Sequence, residues 1–188
     1  MLYEKGVMKI MKQKINAFDY AGHICKAMNP GILLTTKSGD KVNTMTIGWG
    51  TIGVEWGKPI FIAFVRESRY TRTMLKENPE FTVNVPMGDV DKNILGVAGR
   101  TSGRDTDKIA QLGLTPEEPE VISVPGIREL PLTLECKVRY VQEQDLSRLE
   151  EPFLSRYYPQ DVESSFPGSN RDYHLAFYGE IVDAYIIE

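Results

Sequence analysis

The stretch Asn43-Thr44-Met45-Thr46-Ile47-Gly48-Trp49-Gly50 is followed by the apolar segment Pro59-Ile60-Phe61-Ile62-Ala63-Phe64-Val65 and then by Arg66-Glu67-Ser68-Arg69-Tyr70-Thr71-Arg72-Thr73-Met74-Leu75. A polar, glycine-containing strand end thus precedes an apolar strand, which leads into arginines and hydroxyls at a helix start. Arginine forks, hydroxyl donors and the free N–H groups of a helix start suit a phosphate group. Glycine has no Cβ, so the backbone can approach a flat ring closely. The stretch predicts a site for a phosphorylated, planar ligand.

Simpler interpretations of the same residues stay open. The glycines of the segment 48–53 formally match a dinucleotide fingerprint, but loop chemistry rather than a helix follows them, so we reject that match. They are also typical of a bulged barrel strand. The run 66–71 also resembles a solvated helix start. The segment 102–105 with Lys108 is either an ordinary turn with a helix cap or a second anion-contacting turn.

Length and charge limit the class of protein. A chain of 188 residues with 41% hydrophobic residues fits one domain over residues 1–188 with one core. The formal net charge of −4 argues against nucleic-acid binding, which needs a basic face. The local basic patch of Arg66, Arg69 and Arg72 is the right size for one phosphate. No apolar run approaches the roughly 20 residues of a membrane span, so no membrane partner is expected.

The N-terminus and the sulfur and imidazole residues add further limits. Residues 1–14 lack the apolar segment of a secretory signal and are expected to be flexible. The 2 Cys, Cys25 and Cys136, have no paired spacing and are expected to be reduced and buried, as in a cytoplasmic protein. With only 2 His, neither a metal site nor a Ser-His-Asp or Cys-His set is predicted. His174 is either structural or a catalytic residue beside the site.

Apolar periodicity predicts a mainly β protein with short helices. Strands are expected at 32–36, 42–47, 60–65, 81–85, 130–141 and within 173–187, and helices at 15–28, 68–77, 89–97 and 106–112. The strand at 60–65, apolar at every residue, is predicted to be central and covered on both faces. Without strict βαβ alternation, the best interpretation is a β-barrel with helical insertions.

Several details of these elements are also predicted. Ser68 or Thr71 would cap the second helix and Asp89 the third. The long strand at 130–141 would point Cys136 into the core and its alternate partners, Thr133 and Glu135 among them, away from it. The segment 51–58 is predicted as a loop that carries Trp56. The segment 145–172 is predicted as a long insertion that forms a lid or contacts a partner.

The order of these motifs resembles the flavin reductase-like family, which includes flavoredoxin and ferric reductase relatives. The matching residues cover nearly the whole chain from Pro30, and they are Asn43, Met45, Thr46, Trp49, Pro59, Ser68, Arg69, Thr71, the segments 81–86 and 102–105, Asp107, Lys108, His174, Phe177, Gly179 and Glu180. The insertion at 145–172 departs from the shorter connection expected in the family, which affects the substrate side of the site and not the cofactor.

The resemblance implies an FMN-binding split β-barrel with short helical insertions, usually a homodimer with FMN near the subunit interface. It implies that the segment 45–50, which is Met45, Thr46, Ile47, Gly48, Trp49 and Gly50, lines the isoalloxazine. Ser68, Arg69 and Thr71 would hold the phosphate. Asn43, Ser102, Gly103 and Lys108 complete the expected FMN-binding set.

The activity implied is that of an FMN-dependent oxidoreductase, which passes electrons from NAD(P)H or a redox-protein donor to a flavin, a metal chelate or a redox protein. The flavin carries the hydride chemistry, and the protein supplies binding, orientation and charge. One alternative is a flavoredoxin-like electron carrier without its own NAD(P)H site. Another is a binding module on the same barrel that holds no flavin.

Overall fold

The computed structural model describes residues 3–4, 7–8, 11–162 and 170–188. Within these ranges there are twelve strands, numbered in chain order. They are β1 (Tyr3–Glu4), β2 (Val7–Met8), β3 (Lys12–Lys14), β4 (Ile32–Ser38), β5 (Lys41–Ile47), β6 (Gly50–Glu55), β7 (Lys58–Arg66), β8 (Glu80–Val85), β9 (Pro116–Glu117), β10 (Gly126–Ile127), β11 (Leu132–Glu143) and β12 (His174–Ile187).

Five α-helices lie between these strands in the described part of the chain. They are α1 (Ala21–Ala27), α2 (Tyr70–Glu77), α3 (Lys92–Arg100), α4 (Lys108–Leu112) and α5 (Phe153–Tyr157), and two 3₁₀ helices span Ala17–Tyr20 and Leu146–Arg148. Aspartates cap two of them, because Asp91 accepts from Asn93 N–H and Asp107 accepts from Ala110 N–H. Asp91, not Asp89, therefore caps α3.

One antiparallel sheet makes up the body of the protein. Its strand order is β5-β4-β8-β11-β12-β7-β6, and β3 pairs with the end of β12. Strands β5 and β6 stand at the two ends of this path and do not pair with each other in the described residues. The sheet is therefore an open, split barrel, as predicted, and β5 keeps a free edge near the end of α3.

The core lies inside this curved sheet. Phe61, Phe81, Leu134 and Cys136 are fully buried together, and α1 and α2 close the cluster with Ile24 and Leu75. Burial of this kind stabilises the fold by about 25 cal/mol for each Å² of apolar surface removed from water. Leu33, on the opposite face of β4, joins a second cluster under α3.

The segment 51–58 was wrongly predicted as a loop. Gly50–Glu55 forms β6, which pairs with β7 over its whole length. The pair Glu55↔Lys58 leaves a two-residue turn, in which Trp56 and Gly57 have φ of 52° and 67°. Positive φ at both positions is the geometry of a type I′ hairpin, whose twist matches that of the flanking strands. The hairpin forms although Trp56 lacks the usual turn chemistry.

A further expectation about a strand face was also wrong. In β7, Phe61, Ala63 and Val65 are buried, but Ile62 and Phe64 on the other face are only half-buried, and β7 lies next to the edge strand β6.

The alternation predicted for β11 holds, since Cys136 lies in the core cluster and Thr133 and Glu135 do not. Thr133 and Glu135 are nevertheless fully buried. The carboxylate of Glu135 accepts from the N–H groups of Glu120, Val121 and Ile122, so the loop before β10 covers it.

The remaining segments complete the comparison with the predictions. Of the segment 1–14, Lys12–Lys14 pairs with Tyr185–Ile187, and residues 1–2, 5–6 and 9–10 lie outside the described ranges. Both cysteines are free, but Cys25 is exposed and only Cys136 is buried. The insertion at 145–172 contains the second 3₁₀ helix and α5, and its residues 163–169 lie outside the described ranges. No helix of the described residues is long and apolar enough to cross a membrane.

Candidate functional site

A small pocket opens beside the free edge of β5, where four elements meet. Strand β5, the start of α2, the end of α3 with the turn after it, and the start of α4 form its walls. The lining residues are Asn43, Met45, Ser68, Arg69, Tyr70, Thr71, Ala98, Gly99, Thr101, Ser102, Gly103, Arg104 and Lys108. Eight of the predicted cofactor-binding residues therefore meet at one place. We call this the anion pocket.

Arg69 stands at the start of α2. It is the N-cap residue of the helix by backbone geometry, but no side chain caps the helix, contrary to the roles predicted for Ser68 and Thr71. Its guanidinium makes no hydrogen bond or ion pair with any described residue. Burial lowers the pKa of Arg69, and the nearby Asp172 partly opposes this change. Arg69 therefore keeps its fork of donors for an anion in the pocket.

Lys108 supplies a second cation to the pocket. Its side chain is buried, and Nζ donates to the carbonyls of Thr44 at 2.8 Å and Ala98 at 2.9 Å. No described carboxylate pairs with it. Burial lowers the pKa of Lys108 to about 8, and the neighbouring Arg69 contributes. A buried ammonium without a counter-charge is costly, so its place on the pocket wall favours a bound anion.

Polar atoms without partners lie on the same wall. Ser68 Oγ and Asn43 Oδ1 are buried and have no hydrogen-bond partner among the described residues. The other end of the Asn43 amide donates to Thr71 Oγ1 at 3.2 Å. Buried polar atoms are nearly always hydrogen-bonded, so the hydroxyl of Ser68 is a donor that remains available in the anion pocket.

The turn after α3 approaches β5 closely. A Cβ placed on Gly103 would lie 2.0 Å from Asn43 Oδ1, so only glycine fits at this position. Ser102 Oγ accepts from the N–H of Arg104, whose guanidinium donates to the Ser68 carbonyl at 3.2 Å. The alternative in which this turn contacts an anion is therefore favoured by its place in the pocket. Arg104 itself was not among the predicted site residues, although it lies in a motif the sequence analysis considered.

The other two arginines of the predicted basic patch have different partners. Arg66 donates to the carbonyls of Tyr157, Asn170 and Asp172 and pairs with the Asp172 carboxylate at 3.7 Å. Arg72 pairs with Glu67 at 3.7 Å. Arg66 therefore anchors the insertion. Of the three arginines of the predicted patch, Arg69 lines the anion pocket, and the other cations there are Arg104 and Lys108.

The other five residues of the predicted set do not line the anion pocket. Thr46 donates to the Leu95 carbonyl at 2.7 Å on the α3 side of β5, and Ile47 belongs to the core. Gly48 and Trp49 connect β5 to β6 and are exposed, and Gly50 begins β6. These residues follow Asn43 and Met45 along β5, the link after it and the start of β6.

Trp49 meets the insertion in an aromatic cluster. Its ring lies 5.3 Å from that of Tyr157, 6.5 Å from that of Tyr158 and 4.9 Å from that of His174, centroid to centroid. The Tyr158 hydroxyl is hydrogen-bonded to His174 Nδ1 at 2.8 Å. Burial, together with Arg66 and Arg69 and against Asp172, lowers the pKa of His174 to about 4, so the ring is neutral near pH 7.

Asp172 joins the two regions and was missed by the sequence analysis. Its carboxylate accepts from the N–H of Ser68 at 2.9 Å and also faces Arg66 and Arg69. No local pattern marks it, since it lies two residues before β12 and far along the chain from Ser68. Within residues 11–162 and 170–188, no group of three His, Cys, Asp or Glu side chains could hold a metal ion.

Comparison with known proteins agrees with this architecture. Residues 27–188 match the family model described as the flavin reductase like domain, and the chain therefore belongs to the flavin reductase-like family. An uncharacterized protein of Archaeoglobus fulgidus is 34% identical over 99 residues, which are 53% of this chain and 55% of that protein. The matches span between 55% and 63% of the length of the first curated relatives.

Solved structures of the same shape include two flavoredoxins. That of Methanosarcina acetivorans is 26% identical with a TM-score of 0.59, over 83% of this chain and 67% of that one. That of Desulfovibrio vulgaris (Miyazaki F) is 22% identical with a TM-score of 0.59, over 99% of this chain and 76% of that one. An NADH:FAD oxidoreductase of Streptomyces globisporus C-1027 is 17% identical with a TM-score of 0.57, over 84% of this chain and 78% of that one. The likenesses under 25% identity show the fold.

Proposed function

We propose that this protein is an FMN-dependent oxidoreductase of the flavin reductase type, which passes electrons from NAD(P)H through bound FMN to a flavin, a metal chelate or a redox protein. Membership in the flavin reductase-like family supports a flavin cofactor and a redox role. The single observation that carries the proposal is the anion pocket, in which Lys108 has no acidic partner among the described residues, the Arg69 guanidinium makes no hydrogen bond or ion pair with them, and Ser68 Oγ is unpaired.

The contents of the anion pocket suit one terminal phosphate. Arg69 would fork onto the phosphate oxygens, and Lys108 has a third N–H donor beyond the two that Thr44 and Ala98 accept. Ser68 Oγ would donate a further hydrogen bond. The pocket offers one such cluster, which favours FMN over the diphosphate of FAD, although one relative of the same shape is named an NADH:FAD oxidoreductase.

The same strand edge would orient the flavin ring. The glycine-containing link of Gly48 and Trp49 lies beyond β5 and leaves its backbone outside the strand ladder. Trp49 and the neutral His174 would form one wall beside the ring, and the insertion would limit the access of water through Tyr157 and Tyr158. When bound, FMN supplies the hydride and electron chemistry, and these residues bind and orient it.

We also propose a homodimer whose interface covers part of the flavin site. Trp56, Tyr140 and Tyr178 contact one another on the solvent side of β11 and β12, and Trp56 and Tyr140 are 57% and 47% exposed. Large exposed aromatic groups of this kind are typical of interaction surfaces. A cytoplasmic location stays a prediction of the sequence.

A flavoredoxin-like electron carrier is the second candidate function, and likeness to the Methanosarcina acetivorans flavoredoxin at 26% identity favours it. Such a carrier would bind FMN without a pyridine-nucleotide site. Both candidates predict a yellow protein that releases FMN on heating, and release of FAD or of no flavin after reconstitution would refute both. Anaerobic titration separates them: bleaching of the flavin absorbance by NADH or NADPH supports the reductase, and bleaching only by dithionite supports the carrier.

A further inference from the structure

The backbone of Ser68 is held from two sides. Its N–H donates to the Asp172 carboxylate at 2.9 Å, and its carbonyl accepts from the Arg104 guanidinium at 3.2 Å. The Ser68 hydroxyl is buried on the wall of the anion pocket and has no hydrogen-bond partner among the described residues. Because the backbone is fixed on both sides of the Cα atom, the position of this hydroxyl depends on the two contacts.

The backbone N–H groups next to Ser68 also have partners. Glu67 N–H donates to the Tyr173 carbonyl at 3.0 Å, and Arg69 N–H donates to the Arg66 carbonyl at 3.1 Å. All three consecutive N–H groups of this turn are therefore occupied within the protein. The turn is left to bind an anion with its side chains, which are the Ser68 hydroxyl and the Arg69 guanidinium.

Asp172 belongs to an anchored part of the insertion. Its backbone carbonyl accepts from Arg66 Nη1 at 2.6 Å, and the same guanidinium donates to the Tyr157 carbonyl at 3.0 Å. The Gln160 amide donates to the Arg171 carbonyl at 3.0 Å and to the carbonyl of the C-cap residue of α5 at 2.8 Å. These hydrogen bonds join the end of α5 to the residues just before β12.

The same part of the insertion contacts both ends of the site proposed for the flavin. At the phosphate end, the Asp172 carboxylate accepts from the Ser68 N–H. At the ring end, the Tyr157 ring lies 5.3 Å from the Trp49 ring, centroid to centroid. The insertion therefore connects the anion pocket to the link between β5 and β6.

We propose that Asp172 is a positioning residue, which fixes the Ser68 backbone so that the Ser68 hydroxyl and Arg69 face an anion in the pocket. Through Asp172, phosphate binding is also linked to the packing of the insertion against Trp49. The inference rests on the proposed function, in which the anion pocket takes the phosphate of FMN. Such linkage is reciprocal, so an insertion that strengthens phosphate binding is itself stabilised by bound phosphate to the same extent.

The charge of Asp172 acts in the opposite direction, because a carboxylate repels a phosphate. Arg66 Nη1 lies 3.7 Å from this carboxylate and balances the charge, so we expect the positioning effect to dominate. Two variants separate the effects. Asp172→Asn removes the charge and keeps an oxygen that can accept from Ser68 N–H, whereas Asp172→Ala removes both.

Amide hydrogen exchange of the apo-protein, measured by ¹⁵N NMR, tests the positioning without any ligand. Ser68 N–H should exchange about tenfold faster in Asp172→Ala than in the wild type, and Asp172→Asn should restore the protection. Asp161→Ala is the matched control, since it removes an exposed carboxylate from the same insertion and should leave Ser68 unchanged. Equal exchange in Asp172→Ala and the wild type would overturn the proposal.

FMN affinity tests the consequence for the ligand. Asp172→Ala should weaken FMN binding about fivefold, the worth of one hydrogen bond, and Asp172→Asn should bind FMN at least as tightly as the wild type. If Asp172→Ala binds FMN as tightly as the wild type or more tightly, charge outweighs positioning and the proposal is wrong. An equal loss in both variants would also overturn it, because the acceptor would then not be the feature that matters.

Inorganic phosphate tests the linkage without a flavin. In the wild type, added phosphate should slow the exchange of Tyr158 N–H, which donates to the Leu154 carbonyl at 2.8 Å in the last turn of α5. In Asp172→Ala this response should be lost, and a response of equal size in both proteins would overturn the linkage. A wild type that binds no FMN would refute the proposed function, while the exchange measurements would still decide the role of Asp172.

Discussion

The ammonium of Lys108 donates to the carbonyl of Thr44 at 2.8 Å, which joins the start of α4 to the edge strand β5. A second bond to Ala98 joins it to α3. Three elements thus converge on one buried cation that has no acidic partner in the described residues. The charge that would balance it is expected from the ligand, and the pH dependence of binding should show this.

FMN affinity should fall as pH rises through the pKa of Lys108, about 8. The phosphate stays a dianion above its second pKa of about 6, so only the lysine changes charge between pH 7 and 9. The protonated fraction falls about tenfold over this range, and affinity should fall by about the same factor. Fluorescence titration of the apo-protein measures this. Riboflavin, which has no phosphate, is the matched control, and an equal decline for riboflavin would contradict the role of Lys108.

The contribution of Lys108 to the stability of the apo-protein should, in contrast, rise with pH. The folded pKa of Lys108 lies below its ordinary value of 10.5, so the unfolded chain binds more protons between about pH 8 and 10.5. The contribution of this group to the free energy of unfolding therefore rises with pH in that window. Urea denaturation at pH 8 and pH 9.5, with and without phosphate, measures it. Added phosphate should stabilise the protein more at the lower pH, and an equal effect at both would count against an anion beside Lys108.

Arg69→Ala should weaken FMN binding by roughly ten- to a hundred-fold. A charge-assisted contact to phosphate contributes about 1.5–3 kcal/mol, which corresponds to that factor. Riboflavin should bind the variant and the wild type equally. Arg72→Ala is the matched control, since Arg72 lies three residues away on α2 and pairs with Glu67. Equal FMN affinity of the Arg69→Ala variant and the wild type would show that Arg69 does not contact the phosphate.

Arg66→Met should destabilise the fold rather than remove the phosphate site directly. The variant loses hydrogen bonds to three backbone carbonyls of the insertion and leaves Asp172 without its buried partner. Breaking such a pair costs about 3–5 kcal/mol. Chemical denaturation measures the loss. If the free energy of unfolding falls by less than for Arg72→Met, the anchoring role of Arg66 is wrong.

Gly103→Ala should impair the anion pocket, because the new Cβ would lie 2.0 Å from Asn43 Oδ1 and must displace that side chain. FMN affinity should fall, and stability should fall by about 1–3 kcal/mol, the usual cost of overpacking. Gly53→Ala is the control, since nothing lies within 4 Å of its added Cβ. Calorimetric titration and thermal unfolding of both variants test this, and a Gly103→Ala variant that binds FMN like the wild type would refute the close approach.

Tyr140→Lys should shift the assembly from dimer to monomer in analytical ultracentrifugation at micromolar concentration. The charge would be placed in the exposed cluster with Trp56 and Tyr178. Val121→Lys, which adds the same charge at a residue that is 51% exposed on the loop before β10, should leave the assembly unchanged. A monomeric wild type would refute the homodimer. A dimeric Tyr140→Lys variant would show that the interface does not include Tyr140.

The sequence alone determined the chemistry of the stretch from Asn43 to Leu75, the strand character of its apolar segment and the family, because these depend on residue type and local order. Only the tertiary structure decided which arginine remains available. Arg66 and Arg69 are alike as sequence, but Arg66 donates to the carbonyls of the insertion, whereas the Arg69 guanidinium makes no hydrogen bond or ion pair in the described part of the chain. Likewise the burial of Glu135 depends on a loop that folds over its strand. Such outcomes depend on contacts between residues far apart along the chain, which local periodicity does not report.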